Sequence, residues 1–187
     1  MMNMIKEKGI FMRALLILDM QKGFFYNKQF LEQQEIVKRM IAEFKNRGDK
    51  IIAFKHIDKI EGSIIEYGTD GSELLDYVEV DSDIVIEKDS PIAFMNTNLD
   101  NLLKKNQLDH LFIVGFNTEY CCMFTSIAAR DRGYKVTFIE DGTGTVNDME
   151  TYEMPNLDIQ DFVGSVLNWS NIIEVLYYEE YVEKYEK

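Results

Sequence analysis

LFIVGFNTEYCCMFTSIAARDRGYKVTFI, residues 111–139, decides the fold class. The stretch opens on a continuously apolar run, 111–114, and passes into a helical pattern at 120–132 that stops at Gly133. It closes on a second apolar run, 136–139. Two short apolar runs joined by one helix form a β-α-β unit, and strands covered on both faces read as unbroken apolar runs rather than alternating ones. The same alternation continues outward. Further strand-like runs lie at 14–18, 50–55, 83–86 and 172–176, and helical patterns at 30–44, 99–105 and 159–167. In the first of these helices Ile36, Val37, Met40, Ile41 and Phe44 recur at helical spacing, with Gly48 as a stop. Residues 66–76 read as a loop followed by a short helix, and the tail from Tyr177 as a terminal helix. The expected fold is therefore α/β: a three-layer α/β/α sandwich around a six-stranded, mostly parallel sheet.

Composition narrows the function. The chain has 187 residues, 46% hydrophobic and 28% charged, which suits one globular domain and its core. A formal net charge of −13 repels phosphate backbones and anionic lipid, so neither nucleic acid nor a membrane surface is an expected partner. No apolar run is long enough to span a bilayer, and the N-terminal segment lacks the apolar core of a signal peptide. The two cysteines, Cys121 and Cys122, are adjacent and ill placed for an unstrained disulfide, which fits reduced thiols and a cytoplasmic location. The core pattern begins at Met12. Residues 1–12 are accordingly read as an N-terminal extension, 1–11 lying upstream of the expected start, and 13–187 as a single domain.

In open α/β sheets ligands bind beyond the carboxyl ends of the strands, near the point where strand order reverses. Asp19 follows the first run, Lys88 the third and Cys121 the fourth, so an acid, a base and a thiol emerge on one edge of the sheet. Taken singly, each has a plainer reading: an aspartate is a turn or cap residue, a lysine a solvated charge, a cysteine a small buried hydrophobe. Their convergence points to chemistry, since a thiol at a helix N-terminus beside a cation is expected to have a depressed pKa. The run Asp141–Thr145 follows the fifth strand-like stretch and reads as a turn or a tight loop at the same edge.

Four blocks resemble the isochorismatase-like hydrolases. LLILDMQKGFF, residues 15–25, is similar to the opening Asp-x-Gln-x-x-Phe of that superfamily, and EYGTDGSEL, residues 66–74, to its Gly-Thr-x-Gly-x-Glu loop. EKDSPIAFMNTNL, residues 87–99, resembles its Lys-x-x-x-x-Ala-Phe-x-x-Thr-x-Leu signature. GFNTEYCCMFTSIAARDRGYKV, residues 115–136, resembles the Gly-x-x-Thr-x-x-Cys block followed by Arg-Gly-Tyr. The resemblance implies strand order 3-2-1-4-5-6 and a homo-oligomer, dimer or tetramer. It implies Asp19 as the base, Lys88 as the electrostatic partner and Cys121 as the nucleophile that attacks a carbonyl and forms a thioester. Cys122 falls where the superfamily usually carries valine, which implies packing. The oxyanion hole would be the backbone N–H groups of Asn117 and Cys121, with a cis peptide entering Asn117. Gln21 would orient groups near Asp19, and Phe24 would be either an aromatic wall of the substrate pocket or a core residue.

Metal-binding nicotinamidases of the superfamily carry Asp-x-His-x-x-His after the second strand. Here that region reads FKHIDKIEGS, residues 54–63, with His56 and Asp58 but no second histidine, and the other histidine, His110, is expected before the fourth strand and far from the site edge. No metal and no organic cofactor is therefore expected, and His56 is read as a strand-end residue lining the pocket. The expected function is hydrolysis of a small-molecule amide or imide C–N bond. Two alternatives stay open: a vinyl-ether C–O hydrolase of isochorismatase type, which does not require the thiol, and a non-catalytic or redox-sensing domain on the same scaffold.

Overall fold

The computed structural model describes residues 12–186; the expected extension at 1–11 lies outside them. Six strands form one sheet in the order β3-β2-β1-β4-β5-β6, every neighbouring pair parallel. The strands are β1 (Met12–Leu18), β2 (Lys50–His56), β3 (Ile84–Lys88), β4 (Leu108–Phe116), β5 (Lys135–Gly144) and β6 (Glu174–Leu176). The helices are α1 (Leu31–Arg47), α2 (Asp76–Asp81), α3 (Leu99–Lys105), α4 (Met123–Asp131), α5 (Ile159–Trp169) and α6 (Tyr178–Tyr185). A residue-by-residue alternation splits the sheet's apolar side chains between two cores. Leu16, Leu18, Ile113 and Phe138 pack with α3, α4 and α5, whereas Leu15, Ile17, Val114 and Ile139 pack with α1, α2 and α6. The three-layer sandwich follows directly, because the central strands β1, β2, β4 and β5 bury apolar side chains on both faces and each helix buries one stripe.

The sequence reading is corrected in three places. β4 starts at Leu108, so His110 lies inside the strand rather than before it. β5 continues to Gly144, so Asp141–Gly144 is strand rather than loop. Lys88 is the last residue of β3 rather than the one beyond it. Polar side chains hid these ends, and each is held by a distant partner: the Asp141 carboxylate accepts from the Tyr178 N–H at 2.8 Å, and the Glu140 carboxylate from the Tyr177 hydroxyl at 3.1 Å.

Two glycines set how closely the chain packs near the site. Gly115, at φ +116°, lies beside Leu18 in the β1–β4 ladder, and a Cβ there would stand 2.1 Å from the Leu18 carbonyl oxygen. Gly144 faces the Phe116 ring, where a Cβ would meet Cζ at 2.5 Å. Only residues without a side chain allow this approach. It draws the end of β4 against the end of β1, and so the turn after β4 against Asp19.

His110 occupies the far end of β4. It is buried, and its Nε2 lies 2.8 Å from Thr137 Oγ1, which donates to Glu174 Oε2 at 2.6 Å. Burial, assisted by the neighbouring Lys135, pushes its pKa down to about 3. The folded chain thus keeps His110 neutral where the unfolded chain protonates it, so its contribution to stability is present above pH 6.5 and lost as pH falls toward 3. Asp141, raised by burial to about 6, acts in the opposite sense, so the informative quantity is a difference between two proteins. The stability gap between wild type and His110→Gln should close by about 2–3 kcal/mol between pH 6.5 and 4.5. Urea unfolding across that range measures it, and parallel curves would refute it.

Candidate active site

The acid, the lysine and the thiol meet at the carboxyl edge, between β1 and β4, where strand order reverses. Asp19 leaves β1 with φ 49° and donates its N–H to the Phe54 carbonyl at 3.1 Å, which turns its side chain over the end of the sheet. Lys88 arises two strands away, and strands are spaced about 4.8 Å apart, so its long side chain has to cross the end of β2. Its Nζ lies 2.6 Å from Asp19 Oδ2, 3.1 Å from the Ser90 carbonyl, 3.3 Å from Cys121 Sγ and 3.3 Å from His56 Nδ1. Cys121 sits in a π-helical turn, Thr118–Cys122, that leads into α4. The Phe116–Asn117 peptide before it is cis.

All three groups are at least nine-tenths buried. Burial works against the Lys88 ammonium, but the Asp19 carboxylate and the Cys121 sulfur outweigh it and hold its pKa above the ordinary lysine value. Burial, then the charge of Asp19, push the Cys121 thiol up, and Lys88 opposes them. The depressed thiol pKa expected from the helix position is therefore not what the site provides. Helix position, a buried cysteine and a nearby aspartate were each legible in the sequence; that burial and the aspartate together outweigh the cation was not. Cys121 rests as a thiol beside a carboxylate whose second oxygen, Oδ1, is buried without a hydrogen-bond partner among the described residues. Cys122 is fully buried in the core beneath α4.

His56 is neutral. Burial and the Lys88 charge lower its pKa. An ammonium can only donate, so Nδ1 is the acceptor facing Lys88 and Nε2 carries the proton. His56, Phe24, Asn117 and Cys121 line one cavity of about 340 Å³. Phe24 both lines it and stacks on Phe116 at 6.2 Å, so wall and packing roles coincide. Gln21 does not line it. Fully buried, Gln21 donates to the carbonyls of His56 and Ser72 and accepts from the His56 N–H at 2.9 Å, fastening the end of β2 to the loop before α2.

Two loops border this edge of the sheet: 59–67 supplies Ser63, Ile64 and Ile65 to the cavity, whereas the second, 142–155, does not line it. Glu119, which sequence reading missed, holds the second loop elsewhere. Its Oε1 accepts from Thr145 Oγ1 at 2.9 Å, Asn147 Nδ2 at 2.6 Å and the Tyr152 hydroxyl at 3.0 Å. Asn117 Oδ1 accepts from the Val146 N–H at 3.1 Å. The nucleophile turn and this loop are thus one hydrogen-bonded unit, joined by residues 26 to 33 positions apart, a separation that no local pattern signals.

Asp19, His56 and Cys121 bring potential metal-ligand atoms within 4.8 Å of one another. They do not fit a resident metal, because the Lys88 ammonium already touches all three and supplies the positive charge there.

This geometry accompanies a match over most of the chain. Residues 13–169 fit the model of the isochorismatase domain. The chain belongs to the isochorismatase family. Membership makes it a hydrolase, and curated relatives are similar to it in sequence. It is 29% identical over 141 residues to the uncharacterised isochorismatase family protein YddQ of Bacillus subtilis, covering 71% of this chain and 77% of that one. A shorter stretch, 51 residues or 27% of this chain and 24% of the other, is 43% identical to the nicotinamidase of Escherichia coli. Among solved structures, a cysteine hydrolase from Pseudomonas syringae superposes with a TM-score of 0.78 at 19% identity, covering 94% of this chain and 92% of that one, which shows the shared isochorismatase fold. No helix among the described residues is long and apolar enough to cross a membrane.

Proposed function

We propose that this isochorismatase-family chain is a metal-independent cysteine hydrolase that cleaves a small-molecule amide or imide C–N bond through a thioester at Cys121. The observation that carries the reading is the single Lys88 ammonium bonded to both Asp19 Oδ2 and Cys121 Sγ, two side chains that line one cavity. The similarity to a nicotinamidase supports an amide as the bond cleaved.

Asp19 accepts the thiol proton as Sγ attacks the carbonyl carbon, and Lys88 stabilises the charge that develops on sulfur. The oxygen of the tetrahedral intermediate is received by the N–H groups of Asn117 and Cys121, the latter in the first turn of a helical segment where amides lack intrahelical partners. The C–N bond breaks as Asp19 returns the proton to the leaving nitrogen. Water then attacks the thioester and gives its proton to Asp19, which passes it to the departing sulfur. Carboxylic acid and resting thiol are regenerated.

Ammonia release from a panel of small primary amides, run with and without hydroxylamine, tests this reading. A thioester partitions to the hydroxamate, and the acylated Cys121 peptide is detectable by mass spectrometry after rapid quenching. Ammonia without hydroxamate or adduct would remove the thioester. Failure on every amide together with cleavage of a vinyl ether would favour the C–O hydrolase.

A further inference from the structure

We infer that the cavity selects by charge, admitting neutral or cationic small amides and turning away carboxylates, and that Asp58 sets this preference. The inference rests on the hydrolase reading for the reaction but on the cavity alone for the selectivity. The side chains lining the cavity include two carboxylates, Asp19 and Asp58, and no lysine or arginine. Asp19 is neutralised by Lys88 at 2.6 Å, and Lys88 is 3% exposed and does not line the cavity. His56 is neutral, since burial and Lys88 depress its pKa. Cys121 rests as a thiol, pushed up by burial. The uncompensated charge presented to a ligand is therefore that of Asp58.

That charge is fixed in place. Asp58 Oδ2 accepts from Ser63 Oγ at 2.6 Å, and Oδ1 from the Ile60 N–H at 2.9 Å. Its carbonyl accepts from the Tyr67 N–H at 2.7 Å, which closes the 58–67 loop on itself. The same hydrogen bonds from Ser63 and Ile60 lower its pKa, so it is ionised throughout the neutral range. The remaining walls are largely apolar: Phe24, Ile64, Ile65, Pro91 and Phe116. A substrate carboxylate entering here would lose water, meet no cation and face a fixed like charge. A neutral amide loses little, and a cationic substituent gains Asp58.

The test uses three methanethiosulfonates of similar size, carrying ethylammonium, ethyl and ethylsulfonate groups. Each leaves its thiol-bearing half on sulfur as a disulfide and releases methanesulfinate. Rates at Cys121, located by peptide mass spectrometry, are divided by those of free cysteine to remove intrinsic reactivity. The cationic reagent should outrun the anionic one by about tenfold at low salt, and the ratio should contract at 0.5 M salt. Asp58→Asn should bring the ratio near that of free cysteine, whereas Ser63→Ala, which loosens the loop but keeps the charge, should preserve it. Because one substitution barely changes a net charge of −13, the overall field cannot mimic that contrast. Equal normalised rates in wild type, or equal loss of discrimination in both variants, would overturn the inference and leave the hydrolase reading standing. A Cys121 inert to all three reagents would overturn both.

Discussion

Cys121→Ala is expected to lower amide hydrolysis by about 10³-fold or more while leaving the fold intact, and Cys122→Ala to leave the rate within a few-fold of wild type. The two thiols are neighbours in sequence and both buried, yet only Cys121 has Lys88 Nζ at 3.3 Å and lines the cavity. Cys122 packs in the apolar cluster beneath α4, so its truncation is a stability change of about 1 kcal/mol rather than a chemical one. Asp19→Asn should match the loss at Cys121, because an amide cannot accept the thiol proton and the raised thiol pKa leaves little thiolate without that acceptor. The paired result separates the alternatives. A C–O hydrolase that works by acid catalysis would survive Cys121→Ala but not Asp19→Asn. A redox-sensing domain would show facile oxidation of Cys121 and no turnover in wild type. Steady-state rates on the best amide, with circular dichroism to verify folding, decide among them.

How much of this was legible in the sequence depends on distance along the chain. The central β-α-β unit was readable because residues 111–114 are apolar and 136–139 are apolar but for Thr137, and the switch-point rule placed Asp19, Lys88 and Cys121 on one edge from strand ends alone. The outer reaches of β4 and β5 were hidden because His110, Glu140 and Asp141 break the apolar pattern. Their polarity is answered by Thr137, Tyr177 and Tyr178, partners 27 to 37 residues away. The loop clasp at Glu119 and the carboxylate fixed at Asp58 were missed for a related reason: each becomes meaningful only when a loop's conformation is known. Protonation was the other gap. Position at the start of a helix beside a cation argued for an acidic thiol, whereas burial and then the Asp19 charge push the Cys121 thiol up against the opposing Lys88.

Lys88→Met should be the most damaging single change, lowering both activity and stability. Methionine fills much of the same channel, so the effect is one of charge rather than volume. With the ammonium gone, Asp19, 1% exposed, is left as a buried anion whose Oδ2 has lost its donor and whose Oδ1 had none among the described residues. Breaking a buried ion pair from one side costs about 3–5 kcal/mol. The chain can relieve that cost by protonating Asp19, but the base is then lost, and the Cys121 thiol also loses the one charge that opposed its rise. Either route leaves the nucleophile inert, and amide hydrolysis should fall by about 10³-fold or more. Adding Asp19→Asn to Lys88→Met removes the stranded charge, so the double variant should regain much of the lost stability without regaining activity. That opposite movement of two readouts is the signature of a coupled pair. It is measured by urea unfolding at neutral pH alongside iodoacetamide alkylation of Cys121 across pH 5–9. A single variant within tenfold of wild-type activity, or a double variant less stable than Lys88→Met, would show that Lys88 does not hold this site together.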